Sequence, residues 1–328
     1  MKVLVTGGSG FLGARLAREL LSRGELCGAS LRELVLADRV PAPADLLEDD
    51  RVRSLPGALI DRSAEIAAEA FDVVFHLAAA VSAECEADFD LGLRSNLDST
   101  RSLLDALRHA GNVPRFVLAS SVAVFGSDPA LPLPEIVRDD TLPTPQSSYG
   151  IQKFMCEQLV ADYTRKGFID GRSARLMTVV VRPGRPNGAA SGFLSAIVRE
   201  PLHGLQTVCP VSLDVRVAIA SPARTMEGLL AVAEASADAF GGRIALNLPA
   251  LTVSVGEMLD ALEQVAGATA RDRVRFEPDA NIARIVGGWP ATFENVRARR
   301  LGLLPDPDFA SIVQQFLAGC AAEPSPHA

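Results

Sequence analysis

Short apolar runs alternate with longer amphipathic stretches through the first half of the chain. Lys2 to Val5, Glu33 to Ala37, Arg51 to Leu55, Phe71 to Leu77, Arg115 to Ala119 and Leu176 to Arg182 each read as a strand. Between them lie helical patterns at Ala14 to Leu21, Ser63 to Ala70, Leu93 to His109 and Ser148 to about Lys166. In the third of these, Leu97, Leu103, Leu104 and Leu107 form one apolar stripe. Strands that alternate with helices predict a doubly wound α/β fold with a mostly parallel sheet.

Past Pro183 the alternation weakens. Helices are expected near Gly192 to Arg199, at Thr225 to Ser236, at Val255 to Val265 and at Phe309 to Leu317, with strands at Arg243 to Leu248 and Arg273 to Phe276. This predicts a smaller C-terminal lobe that covers the carboxyl edge of the sheet. Residues 1–188 with 223–250 are expected to form the dinucleotide-binding part, and 189–222 with 251–328 the substrate-binding lobe. The tail from Ala321 to Ala328 is expected to fray.

Composition narrows the function classes. A chain of 328 residues with 48% hydrophobic and 22% charged residues can bury a large core. A net charge of −8 argues against nucleic acid or an anionic membrane surface as a partner. No apolar run has the length of a membrane span. The chain enters its first strand at once, so no signal peptide is expected and the protein is expected to be cytoplasmic. Cys27, Cys85, Cys156, Cys209 and Cys320 are scattered and without C-x-x-C spacing, as for reduced thiols. His76, His109, His203 and His327 make no ligand cluster, and no metal is expected.

The first strand runs into Thr6-Gly7-Gly8-Ser9-Gly10-Phe11-Leu12-Gly13 and then into a helix. Strand, glycine turn and helix is the setting in which a dinucleotide pyrophosphate sits on a helix N-terminus. Gly7 permits the tight turn, Gly10 lets backbone approach phosphate, and Gly13 allows close packing of helix on strand. The spacing is G-x-x-G-x-x-G, which taken alone also fits a β-α turn with no ligand. No Gly-Lys-Ser/Thr follows, so this is not a triphosphatase loop. Asp38 ends the second strand, where a carboxylate accepts from the adenine ribose hydroxyls and repels a 2′-phosphate. NAD is therefore favoured over NADP, although Arg39 beside it could hold a phosphate.

Tyr149 and Lys153 are one helical turn apart and share a face. A tyrosine has a reference pKa of about 10, and a nearby ammonium favours its phenolate. Ser121, at the end of the fifth strand, can hydrogen-bond a substrate oxygen. Together these groups would take a proton from a hydroxyl whose carbon gives a hydride to nicotinamide. Y-x-x-x-K alone is a common helix face and gains meaning only with the glycine loop, Asp38 and Ser121.

These motifs, with His76-Leu77-Ala78-Ala79, Asn96 and Ser120-Ser121-Val122-Ala123-Val124-Phe125-Gly126, resemble the extended short-chain dehydrogenases/reductases, a family of Rossmann-type enzymes. The resemblance covers most of the first 190 residues. It implies Ser121, Tyr149 and Lys153 as catalytic residues. It implies Gly7, Gly10, Phe11, Leu12, Gly13, Asp38, Leu59, Leu77, Ala78, Ala79, Asn96, Tyr149, Lys153 and Pro183 around NAD, with Asn96 also supporting a proton relay. Homodimerisation through the helices beginning near Arg94 and Ser148 is a further expectation from the family. Ala58 departs from relatives that carry an adenine-contacting Asp there, which leaves the adenine site to backbone and Leu59.

The second half is similar to a branch of the family that oxidises a four-carbon, D-erythronate-like sugar acid at C2 to the 2-keto acid. The similar segments are Val181 to Asn187, Ala190 to Phe193, Arg199 to Leu202, Val215-Arg216 with Ala220 to Pro222, and Gly287 to Pro290. Dehydratases of the family have Thr-Asp-Glu where this chain has Ser121-Val122-Ala123, so elimination of water lacks its acid and base. Sugar-nucleotide epimerases usually carry Asn where Arg185 stands, and an arginine fork suits a carboxylate. Arg185 or Arg216 is expected to clamp that carboxylate, with Ser82, Ser121, Asn187 and Ser191 at the hydroxyls; an arginine at either position could equally be a solvated surface residue. Two rival readings are an NAD-dependent sugar-nucleotide epimerase and a non-catalytic NAD-binding sensor or scaffold. Such scaffolds commonly lose the Tyr or Lys, and this chain keeps both.

Overall fold

The computed structural model describes residues 1–184 and 190–322. Its centre is a parallel sheet. The strands are β1 (Lys2–Thr6), β2 (Glu33–Asp38), β3 (Val52–Pro56), β4 (Val73–His76), β5 (Arg115–Ser121), β6 (Asp170–Leu176) and, at the far edge, the two-residue β9 (Leu246–Asn247). They lie in the order β9-β6-β5-β4-β1-β2-β3, and every pair is parallel. From β1 the chain moves outward to β2 and β3 and then returns to β4 on the other side. The order thus reverses between β1 and β4, and the crevice at their carboxyl ends is where such folds bind ligands.

The alternation of side chains along β1 distributes the core. Val3 and Val5 pack with Leu16 and Leu20 of α1 (Phe11–Arg23) and with Leu229 and Leu230 of α6 (Pro222–Glu234). Leu4 points to the other face, with Ile66 of α2 (Ser63–Ala67), Leu103, Leu104 and Leu107 of α3 (Ser99–Ala110) and Val160 of α4 (Ser148–Arg165). Both faces of the sheet are therefore covered, which is why its central strands read as apolar runs.

The expected strand at Leu176 to Arg182 is placed too late. The sixth strand is Asp170–Leu176, and it ends where the expectation began. Its sequence hides it, because Arg172, Ser173 and Arg175 are buried beside only two apolar side chains, Ala174 and Leu176. These arginines are tolerated inside because their heads find acceptors, Arg172 on Val232 O at 2.7 Å and Arg175 on the Glu157 carboxylate. The long helix expected from Leu93 also begins differently. Leu93–Asp98 is a π-helical turn, and only from Ser99 is the helix α. The strand expected at Arg243 to Leu248 shrinks to β9.

After β6 the chain leaves the large sheet. β7 (Thr178–Val179), β8 (Arg216–Ala220) and β10 (Leu251–Ser254) form a second sheet, with β7 and β8 parallel and β8 and β10 antiparallel. A second core gathers here, with Val180, Leu194 and Ile197 of α5 (Gly192–Leu202), Ile219, Met258 and Leu262 of α7 (Val255–Ala266), and Val313 of α8 (Phe309–Ala322). Ala298 and Leu303 return to the first core. Among the described residues no helix is long and apolar enough to cross a membrane.

Candidate active site

The glycine loop closes tightly at the switch point between β1 and β4. Gly7 has φ +71°, and a Cβ there would lie 2.8 Å from Ala78 N. A Cβ on Gly13 would lie 2.0 Å from Gly7 O, so only glycine lets α1 start against the turn. Gly10 is the N-cap of α1, no side chain caps that end, and its first turn holds no acidic residue. The first-turn N–H groups, those of Phe11, Leu12 and Gly13, are thus left for an external anion. Asp38 sits across the loop, accepting from Ser9 N at 3.0 Å and from Arg39 N at 2.6 Å. Leu77, Ala78 and Ala79 line the end of β4 half-exposed, and Leu59 is half-buried in the turn after β3. A cradle that a side chain would fill, an uncapped helix end and a carboxylate at the second strand fit a dinucleotide.

On the other side of the crevice, β5 delivers Ser121 and α4 delivers Tyr149 and Lys153. Ser147 caps α4, accepting from Gly150 N at 3.1 Å. Gly150 is needed for contact rather than for its φ: a Cβ would meet Ala123 O at 2.1 Å. The turn after Ser121 therefore presses directly on the start of the Tyr149 helix. The Ser121 hydroxyl accepts from Ala123 N at 3.1 Å and donates toward the Tyr149 phenol. Lys153 is buried, donates from Nζ to Ala119 O at 2.9 Å, and lies 5.7 Å from the centre of the Tyr149 ring.

Burial dominates the protonation of this group. It pushes the Tyr149 phenol up to about 12, with the Ser121 hydrogen bond acting in the opposite direction. Burial likewise lowers the Lys153 ammonium, while Glu157, one turn further along α4, favours its charge. The lowering expected from the Lys153 ammonium is therefore outweighed in the protein by itself, where loss of water acts more strongly on the phenol.

Two buried polar networks hold these elements in place. In the first, His76 Nδ1 and Thr6 Oγ1 are 2.7 Å apart, and His76 Nε2 and Thr100 Oγ1 are 2.8 Å apart. Thr100 donates onward to Asn96 O at 2.5 Å, so it accepts from Nε2–H, and a neutral imidazole then has Nδ1 accepting from Thr6 Oγ1. Burial holds His76 in that state by lowering its pKa to about 3. The Asn96 amide is committed to the protein, accepting from Ala80 N at 2.7 Å and donating to Gln152 Oε1 at 2.8 Å. It ties the loop after β4 to the helix that carries Tyr149 and Lys153, and the π turn at Leu93–Asp98 is where it sits.

In the second network Glu157 accepts from Arg175 Nε at 2.9 Å, from Arg175 Nη2 at 2.7 Å and from Ser120 Oγ at 2.5 Å. The Arg175 guanidinium also lies 4.8 Å from the centre of the Phe125 ring. Glu157 and Arg175 were missed in the sequence. A carboxylate eight residues after Tyr149 on the same helix face was the available signal.

The remaining expected substrate residues are scattered. Ser82 opens the short helix Ser82–Ala87 and is half-buried. Ser191 is the N-cap of α5, and its hydroxyl lies 3.4 Å from Arg182 Nη2. Arg216 begins β8, is 52% exposed and faces Glu257 at 3.8 Å. Pro183 is exposed. Arg185 and Asn187 lie outside the described residues. Among the described residues no cluster of His, Cys, Asp and Glu could hold a metal ion.

A doubly wound sheet with a dinucleotide cradle facing a Ser-Tyr-Lys group defines an NAD-dependent oxidoreductase. Comparison with known proteins agrees, for residues 3–218 match the NAD dependent epimerase/dehydratase family, and the chain belongs to it. It is an extended short-chain dehydrogenase/reductase that uses NAD. It is 45% identical over 325 residues to D-erythronate dehydrogenase of Cupriavidus necator, covering 97% of this chain and 98% of the relative. It is 42% identical to D-erythronate dehydrogenase of Haemophilus influenzae, covering 97% and 99%. A solved nucleoside-diphosphate-sugar epimerase from Agrobacterium tumefaciens superposes with a TM-score of 0.88 at 41% identity, over 97% of this chain and 94% of that one.

Proposed function

We propose that the protein oxidises a short, D-erythronate-like sugar acid at C2 to the 2-keto acid. The observation that carries the reading is the convergence of Ser121 and Tyr149 at the crevice, joined to the near full-length similarity to two D-erythronate dehydrogenases. Bound NAD supplies the hydride acceptor and a positive ring. Ser121 holds the C2 oxygen. Tyr149 takes the hydroxyl proton as C2 gives up its hydride. Lys153 lowers the phenol pKa by its charge, opposing the effect of burial. Glycine-loop backbone at Gly10 to Gly13 would hold the pyrophosphate and Asp38 the adenine ribose. Leu59, Leu77 to Ala79 and Pro183 would line the rest of the cofactor site. Val122 and Ala123 offer no acid or base for dehydration.

Of the two arginines expected at the carboxylate, Arg185 is the better candidate and Arg216, which faces Glu257, the weaker; Ser82, Asn187 and Ser191 would read hydroxyls. We further propose a cytoplasmic homodimer built on α3 and α4, whose neighbourhood leaves Phe89 60% and Ile151 45% exposed.

The test is NADH formation by purified protein with NAD and a panel of four-carbon acids, D-erythronate and L-threonate among them. NADH from one of them supports the reading and reports the C2 configuration accepted. The epimerase reading is favoured by the name of the Agrobacterium structure. Interconversion of a UDP-sugar with no net NADH from any acid would establish it instead.

A further inference from the structure

We propose that Arg182 is a carboxylate-binding residue of the substrate pocket, held in place by Arg199 and Ser191. This rests on the sugar-acid reading and adds a residue to it. Arg182 follows β7 at the point where the chain turns from the sheet to α5. Its backbone is fixed on both sides. Arg182 N donates to Ser195 Oγ at 3.1 Å, and Arg182 O accepts from Arg199 Nη1 at 2.8 Å.

The two guanidinium groups are unequal. Arg199 is 5% exposed and already paired, donating to Glu200 Oε1 from Nε at 3.0 Å and from Nη2 at 2.5 Å. Arg182 is half-buried and faces no carboxylate among the described residues. Its side-chain contact there is the weak 3.4 Å approach to Ser191 Oγ. Burial and the like charge of Arg199 both disfavour its protonated form. An arginine withdrawn from water is normally paired. Here an anion from outside would complete the pairing, and a planar fork fits two carboxylate oxygens. Ser191 stands beside it as N-cap of the eleven-residue α5, and its hydroxyl, which makes no side-chain cap bond among the described residues, lies on the Arg182 side where the same ligand would meet it.

The place in the chain suits the role. β6 ends at Leu176, which pairs with Ser121, so the segment leading to Arg182 leaves the sheet at the catalytic serine. Arg216 sits elsewhere, three residues before Ile219, the partner of Thr178, and already has Glu257.

The experiment compares wild type with Arg182→Met and Arg182→Lys, using D-erythronate and the uncharged polyol erythritol, with NAD affinity measured in parallel. The expected result is a KM for the acid raised at least tenfold in Arg182→Met, with partial recovery in Arg182→Lys. Unchanged NAD affinity and unchanged use or inhibition by erythritol should accompany it. An acid KM that stays within twofold in Arg182→Met, while wild type turns over the acid, overturns the assignment and leaves the sugar-acid reading standing. So does an equal loss for acid and polyol. Wild type that neither oxidises nor binds any short hydroxy acid overturns both.

Discussion

Arg175 grips Glu157 from a neighbouring strand with two hydrogen bonds, and Glu157 in turn takes the hydroxyl of Ser120, the residue before Ser121. Both charged side chains are nearly dry, 6% and 3% exposed. The pair therefore fixes β5, β6 and α4 relative to one another just below Ser121, Tyr149 and Lys153. Removing one partner strands the other charge in the core, which costs about 3–5 kcal/mol. Glu157→Ala and Arg175→Ala should each lose that much in urea unfolding, and Glu157→Leu with Arg175→Met together should lose clearly less than either. Additive losses in the double variant would show that the pair does not act as a unit.

Gly13 has no room for a methyl group and Gly10 has some. The added Cβ would stand 2.0 Å from Gly7 O in the first case and 3.3 Å in the second. Overpacking of the first kind costs about 1–3 kcal/mol, here spent on displacing α1 from the cradle. Gly13→Ala should weaken NAD binding roughly tenfold or more, measured by titration calorimetry, and Gly10→Ala distinctly less.

His76 is neutral and buried, with its pKa lowered from 6.5 to about 3. The unfolded chain then binds the proton that the folded chain refuses, so this component of stability is full above pH 6.5 and falls as the pH drops toward 3. The slope is about 1.4 kcal/mol per pH unit. Between pH 7.5 and pH 5 the wild type should lose about 2 kcal/mol more than His76→Asn, read from unfolding free energies. Parallel pH profiles would show that His76 accepts a proton in the fold.

If Tyr149 acts as the proposed base, its phenolate is the active form, and the rate should rise with pH until its pKa is passed. An opposite charge within a few ångströms lowers such a pKa by about 1–3 units. The Lys153 ammonium lies 5.7 Å from the ring centre. Lys153→Met should therefore move the rising limb of the kcat profile at least about one unit to higher pH, with Lys153→Arg in between. An unmoved limb would confine Lys153 to binding roles. Tyr149→Phe should lower kcat roughly 10²–10⁴-fold and leave NAD affinity in place.

Local chemistry made much of the protein readable in advance. Apolar runs marked β1, β2, β4 and β5 because both faces of the sheet are covered. The glycines announced the cradle because a tight turn and a close helix start need a residue without a side chain, and Asp38 stands across that loop at the end of β2. A strand end and a shared helix face placed Ser121, Tyr149 and Lys153, and the family resemblance joined them into one group. Tertiary structure decided what depends on partners distant in sequence. β6 was hidden because Arg172 and Arg175 enter a core only when acceptors on α6 and α4 await them. The π turn at Asn96 answers to Ala80 and Gln152. The glycine after Tyr149 answers to Ala123 O. Arg182 stands out from the other arginines only once Arg199 is seen to hold Glu200, because the charge balance of a site is a sum over neighbours that the order of residues does not list.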